Sequence, residues 1–167
     1  MYSQRPMPHT AYIALGSNIE PRAATLIQAL SMLDETPRLA VRQVSQMIVT
    51  APVGGPPGQG PYLNAAARLE TDLDPHELLA VLLDVEARLG RDRAREERWG
   101  SRTCDLDLLL FDDVVLQSPD LCLPHPRMHE RIFVLRPLVE IAPKAVHPVL
   151  HQSVLDLLDE LYDQGER

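Results

Sequence analysis

Apolar positions along this chain fall into two periods, one of about 2 and one of about 3.6 residues. Ala11 to Leu15 is a short apolar run leading into Gly16-Ser17-Asn18, which reads as a strand entering a tight turn. Leu26, Ile27, Leu30 and Leu33 follow at helical spacing, with Pro21 suited to the first turn. Val41 to Thr50 reads as a second strand and Tyr62 to Leu69 as a third. Between them, residues 51–61 are too rich in glycine and proline for regular structure, and their length predicts a mobile functional loop. Asp74 is placed to cap a second helix, with Pro75 in its first position and Glu77 completing a capping box. Leu78, Leu82, Val85 and Leu89 form that helix's buried stripe, and Gly90 ends it.

Asp105 to Phe111 reads as a strand, and Asp112-Asp113 as a turn into Val114-Val115-Leu116. Leu135 to Ile141 reads as a short helix bounded by Pro143. Ser153 caps a final helix carrying Val154, Leu155, Leu158 and Leu161. The order strand–helix–strand–strand–helix–strand predicts an α+β, ferredoxin-like antiparallel sheet with helices packed on one face and additions at the C-terminal end. Residues 1–10 are expected to be a flexible tail and residues 11–163 a single domain.

Composition narrows the function. A chain of 167 residues with 45% hydrophobic and 24% charged residues buries an ordinary core. A net charge of −8 argues against a general nucleic-acid binder, which needs a broad basic surface. The positive charge is nearly all arginine, Lys144 being the single lysine, and it gathers in one stretch, as suits a small anionic ligand. Two cysteines, Cys104 and Cys122, make neither a disulfide framework nor a zinc site. The N-terminus lacks the apolar run of a signal peptide and no stretch reaches membrane-spanning length, so the expectation is a cytoplasmic enzyme.

Residues 98–111 carry the chemistry. Asp105 and Asp107 stand two apart at the entrance of a strand, so they project from the same face, about 7 Å apart. At an effective dielectric near 20 their repulsion is about 2 kcal/mol, which a divalent cation converts into attraction. Hard ions such as Mg²⁺ are held by one or two carboxylates together with substrate phosphates. The five arginines just upstream, Arg91, Arg93, Arg95, Arg98 and Arg102, are natural phosphate partners.

Four segments together give a resemblance: Tyr12 to Asn18, the loop ending in Tyr62-Leu63-Asn64-Ala65, the Arg98 to Phe111 block, and Leu123-Pro124-His125-Pro126-Arg127-Met128-His129-Glu130-Arg131. In this order and spacing the chain resembles the 6-hydroxymethyl-7,8-dihydropterin pyrophosphokinases of folate biosynthesis, from about Ala11 to about Pro148. The resemblance implies transfer of the diphosphate of ATP to the pterin hydroxymethyl group with release of AMP, ATP as co-substrate, and two Mg²⁺ ions on Asp105 and Asp107. It further implies that Tyr62 and Phe133 sandwich the pterin, that Asn64 reads its edge, and that backbone around Ala51, Pro52, Val53 and Gly54 completes the pocket. Arg91 and Arg102 resemble catalytic-loop arginines that follow charge on the transferring group. Glu86, Arg93, Trp99, His125 and Arg131 match the ATP side. The implied partners are these two small molecules alone, with no nucleic acid or membrane, and the chain is expected to be a monomer.

Two other classes share parts of this pattern. Another Mg-dependent phosphotransferase or phosphohydrolase would need Asp-x-Asp and arginines but not the Tyr62, Asn64 and Phe133 pocket. A non-catalytic binding module would share the order of elements alone.

Overall fold

The computed structural model describes residues 7–52, 57–90 and 103–165. In chain order the elements are β1 (His9–Ser17), α1 (Arg22–Asp34), β2 (Leu39–Val44), β3 (Ile48–Thr50), β4 (Tyr62–Thr71), α2 (Pro75–Arg88), β5 (Asp105–Phe111), β6 (Leu116–Gln117), β7 (Cys122–Leu123), a single 3-10 turn (Met128–Glu130), α3 (Ile132–Ile141) and α4 (Val154–Gly165). The main sheet has the strand order β2-β4-β1-β5, every pairing antiparallel, with β3 also on β4. This is the ferredoxin-like α+β arrangement, and β6 and β7 add a small hairpin beside it.

The expected second strand, Val41 to Thr50, is two strands. Both lie along the same edge of β4, and the break falls at Ser45. Its amide donates to the Ala66 carbonyl at 2.9 Å, while its hydroxyl accepts the Ala66 amide at 2.9 Å. A side-chain oxygen therefore replaces a ladder carbonyl, and the backbone turns aside. The Gln46 amide goes instead to the Glu140 carboxylate of α3, at 3.0 Å. Gly16 and Ser17 are not a turn either: they continue β1, opposite Asn64 and Leu63.

Helices cover both faces of the sheet rather than one. On one face Ala11, Ile13 and Leu15 of β1, Ala65, Ala67 and Leu69 of β4, and Leu106 and Leu108 of β5 pack in one cluster with Leu26 and Leu33 of α1 and Leu78, Leu82 and Val85 of α2. On the other, Ala66, Leu109 and Leu110 meet Met128, Leu135 and Leu138, then Val154, Leu157 and Leu158 of α4. Two stripe positions were misplaced by period alone. Ile27 is 59% exposed, because Thr25 and Ala29 share the buried face of α1 with Leu26 and Leu33. Leu155 is 42% exposed and Leu157 takes its place.

Helix ends follow local chemistry. Asp74 accepts the Glu77 amide at 2.8 Å, with Pro75 in the first turn, but the Glu77 carboxylate pairs with Arg38 at 3.4 Å. Gly90, at φ +92°, supplies the left-handed residue after α2. α3 starts at Ile132, three residues before the predicted Leu135, and holds Pro137 inside it. Ser153 caps α4, its hydroxyl accepting the Asp156 amide at 3.1 Å. Asp74→Ala should lower stability, read as a lower urea midpoint with an unchanged slope.

Candidate active site

Cross-strand register assembles the site. Gly16 of β1 lies opposite Asn64 on β4 and opposite Asp105 on β5, so these three form one row across the sheet. One step along, Ala14 lies opposite Ala66 and Asp107. Neighbouring strands are about 4.8 Å apart, which puts Asn64 and Asp105 about 10 Å apart with a glycine between them. A Cβ at Gly16 would stand 3.3 Å from Asn64 Oδ1 and 3.7 Å from Tyr62 Cδ1. The missing side chain leaves a trench between the carboxamide and the carboxylates.

This trench is part of a cavity of about 610 Å³ on the face that α3 and α4 only partly cover. Asp105, Asp107, Tyr62, Asn64, Ala51, Arg131 and Phe133, all chosen from the sequence, line it together. Alternation explains the aspartates: Leu106 and Leu108 point into the core, so Asp105 and Asp107 face the cavity, half-buried. Asn64 is buried, and its Nδ2 donates to Thr50 Oγ1 of β3. That bond orients the carboxamide, a consequence of the strand break that brings Thr50 opposite Tyr62. The guanidinium of Arg131 lies 5.7 Å from the Phe133 ring centroid, a cation–π contact at the start of α3. The N-terminus of that helix adds positive potential at the same wall.

His125 stands elsewhere. It lines a second cavity of about 270 Å³ on the far side of Asp107, with Leu106, Leu108, Leu79, Cys122 and Pro126. Its backbone amide donates to the Leu109 carbonyl at 2.9 Å, which ties the loop to β5. Its Nδ1 accepts the Arg127 amide at 3.2 Å, so the neutral ring carries its proton on Nε2. Burial, then the charges of Arg131 and Arg127, push its pKa down to about 4 despite the opposing pull of Asp105. Asp107 thus borders both cavities.

Glu86 is placed otherwise than the sequence suggested. It is 1% exposed and does not face the larger cavity; its Oε2 accepts the Leu106 amide at 2.8 Å. Pro52 is described but lies outside the cavity lining. Arg91, Arg93, Trp99, Arg102, Val53 and Gly54 lie outside the described residues. Sequence reasoning missed Thr50, Arg127, Glu130 and Ile132 as cavity residues. Among the described residues no cluster of three or more His, Cys, Asp or Glu is arranged to hold a metal, and no helix is long and apolar enough to cross a membrane. Two carboxylates facing one cavity nevertheless fit an ion that takes its other ligands from phosphate and water.

Comparison with known proteins agrees with this geometry. A family model described as 7,8-dihydro-6-hydroxymethylpterin-pyrophosphokinase (HPPK) matches residues 12–143. The chain is 47% identical over 135 residues to the 2-amino-4-hydroxy-6-hydroxymethyldihydropteridine pyrophosphokinase of Bacillus subtilis (strain 168), a match covering 81% of this chain and 79% of that one. It is 46% identical over 155 residues to the protein of the same name from Methylorubrum extorquens, covering 93% and 95%. Among solved structures it is similar to wild-type Plasmodium falciparum HPPK-DHPS with pterin and p-hydroxybenzoate, at a TM-score of 0.73 and 16% identity. That match covers 98% of this chain but 45% of the other, so the chain spans about half the length of that protein, and the likeness speaks to the fold.

The depressed His125 pKa has a measurable consequence. Its unfolded value is 6.5, so between pH 6.5 and about 4 the unfolded chain binds the proton and the folded chain does not. Stability from this group is complete above pH 6.5 and is lost as pH falls toward 4, to a limit of about 3 kcal/mol. Chemical denaturation of wild type and His125→Gln across that window should show a shallower acid loss in the variant.

Proposed function

The chain belongs to the 7,8-dihydro-6-hydroxymethylpterin-pyrophosphokinase family, whose reaction moves the pyrophosphoryl group of ATP to hydroxymethyldihydropterin in folate biosynthesis, and from that premise we propose how its residues divide the work. The observation that carries the reading is the row Asn64–Gly16–Asp105, which sets a heterocycle reader and a carboxylate pair on one open stretch of sheet.

In this reading the pterin lies in the trench at the β4 side. Tyr62 and Phe133 offer it their faces, each aromatic contact being worth about 1 kcal/mol beyond burial. Asn64, oriented by Thr50, offers both a donor and an acceptor to its polar edge. Asp105 and Asp107 hold two Mg²⁺ ions, which supply charge neutralisation for the triphosphate and a more acidic pterin hydroxyl when bound. The hydroxymethyl oxygen bonds to the β-phosphorus and loses its proton, the bond from that phosphorus to the oxygen bridging it to the α-phosphorus breaks, and AMP leaves with the bridging oxygen. Arg131 stands on the cavity wall to pair with phosphate, held in place by the Phe133 ring. His125, neutral at physiological pH, presents Nε2–H as an uncharged donor on the nucleotide side of Asp107. Arg91 and Arg102 act on the transferring group, and Arg93 and Trp99 on ATP, in the same proposal, all four outside the described residues.

The proposal includes a monomer in the cytoplasm. Cys104 and Cys122 are not joined in a disulfide, which suits a reducing compartment.

Incubation with ATP, Mg²⁺ and the reduced hydroxymethylpterin should yield AMP only when the pterin is present. ADP or inorganic phosphate as the product would sink the reading. Asp107→Asn should lower turnover on the order of 10²-fold or more while the far-UV dichroism stays native. Gly16→Ala should raise the KM for the pterin roughly tenfold, about 1.4 kcal/mol, because its methyl would press on Asn64 Oδ1.

A further inference from the structure

A buried acid on α2 has no place in the mechanism above. Glu86 falls four residues after Leu82 and eight after Leu78, so it belongs to the apolar stripe of the helix, and it is 1% exposed. A carboxylate in that position is unfavourable unless it is hydrogen-bonded. Its Oε2 accepts the amide of Leu106 at 2.8 Å, a buried bond between residues twenty apart in sequence.

Leu106 is the residue between Asp105 and Asp107. Among the described residues β5 is the last strand of the sheet on its side, paired with β1 alone. β1 supports Asp105 and Asp107 from within, through Gly16 and Ala14. The Leu106 amide instead meets a helix, where no strand among the described residues supplies a carbonyl, and a buried amide needs a partner. We infer that Glu86 is a positioning residue: by gripping the peptide between the two aspartates from the open edge of the sheet, it sets the direction in which both carboxylates leave the strand. A charged acceptor makes this bond shorter and about twice as strong as a neutral one. Direction matters because a hard ion with few protein ligands depends on their alignment.

This inference rests on the proposed metal role of Asp105 and Asp107, and its test separates the two. Glu86→Ala removes the grip, and Glu86→Gln keeps an acceptor of the same length. In Glu86→Ala the Mg²⁺ concentration for half-maximal turnover should rise about 10- to 100-fold, with the KM for the pterin unchanged. Glu86→Gln should return to within a few-fold of wild type. Without turnover, Mn²⁺ binding in the presence of a nonhydrolysable nucleotide should weaken by a similar factor in Glu86→Ala. In the nucleotide-free protein, hydrogen exchange of the Leu106 amide should accelerate while that of Leu63 on β4 does not. If Glu86→Ala does not fold, Glu86→Asp, too short by one methylene, takes its place with a smaller shift in the same direction. An unchanged metal constant, or an equal loss in metal and pterin constants, overturns the positioning role while leaving the reaction assignment intact. A metal constant unmoved by Asp107→Asn would overturn the premise itself.

Discussion

Two carboxylates about 7 Å apart on one strand face repel each other, and everything around Asp105 and Asp107 works against that repulsion. Leu106 and Leu108 root the strand in the core by pointing the other way. β1 holds it along one side, and α2 reaches it from the other through a single carboxylate. Such support matters at the acidic end of β5, where the strand begins and has one strand neighbour among the described residues.

The two faces of the sheet divide the labour. One is covered by α1 and α2 and supplies most of the apolar burial. The other is covered by α3 and α4 only in part, and the uncovered portion is the cavity. Small residues make that uncovered floor: Ala14 and Gly16 contribute almost no bulk, so Asn64, Asp105 and Asp107 stand above it. A rigid floor with polar groups at fixed register suits chemistry that depends on alignment.

Much of this was legible in the sequence, for a physical reason in each case. Alternation placed Asp105 and Asp107 together, and the cap at Asp74 with Pro75 located α2. The resemblance to a pterin pyrophosphokinase brought in Tyr62, Asn64 and Phe133, which periodicity alone does not single out, and the cavity gathers them. Failures came where side chains compete with the backbone or where tertiary contacts decide. The Ser45 hydroxyl split one expected strand into two. Ile27 satisfied the helical period but faces solvent, since small Thr25 and Ala29 fit the interface better. α3 extends three residues earlier than its apolar pattern suggested, carrying Phe133 on its first turn. Glu86 is an acid on the apolar stripe of Leu78, Leu82, Val85 and Leu89, where the helical period alone gives no sign of its bond to Leu106.

The interrupted border formed by β2 and β3 has a consequence for how this molecule behaves in a crowded solution. A long, flat outer strand is a template on which another chain can add its own backbone. Here that border is bulged between Val41 and Gln43, carries exposed Arg42, and breaks at Ser45. The opposite border is occupied by the Glu86 carboxylate at Leu106 and by the His125 amide at Leu109. Among the described residues neither flank offers an unbroken row of groups to a second copy, so the bonds that shape the site also guard the sheet against growth into aggregates.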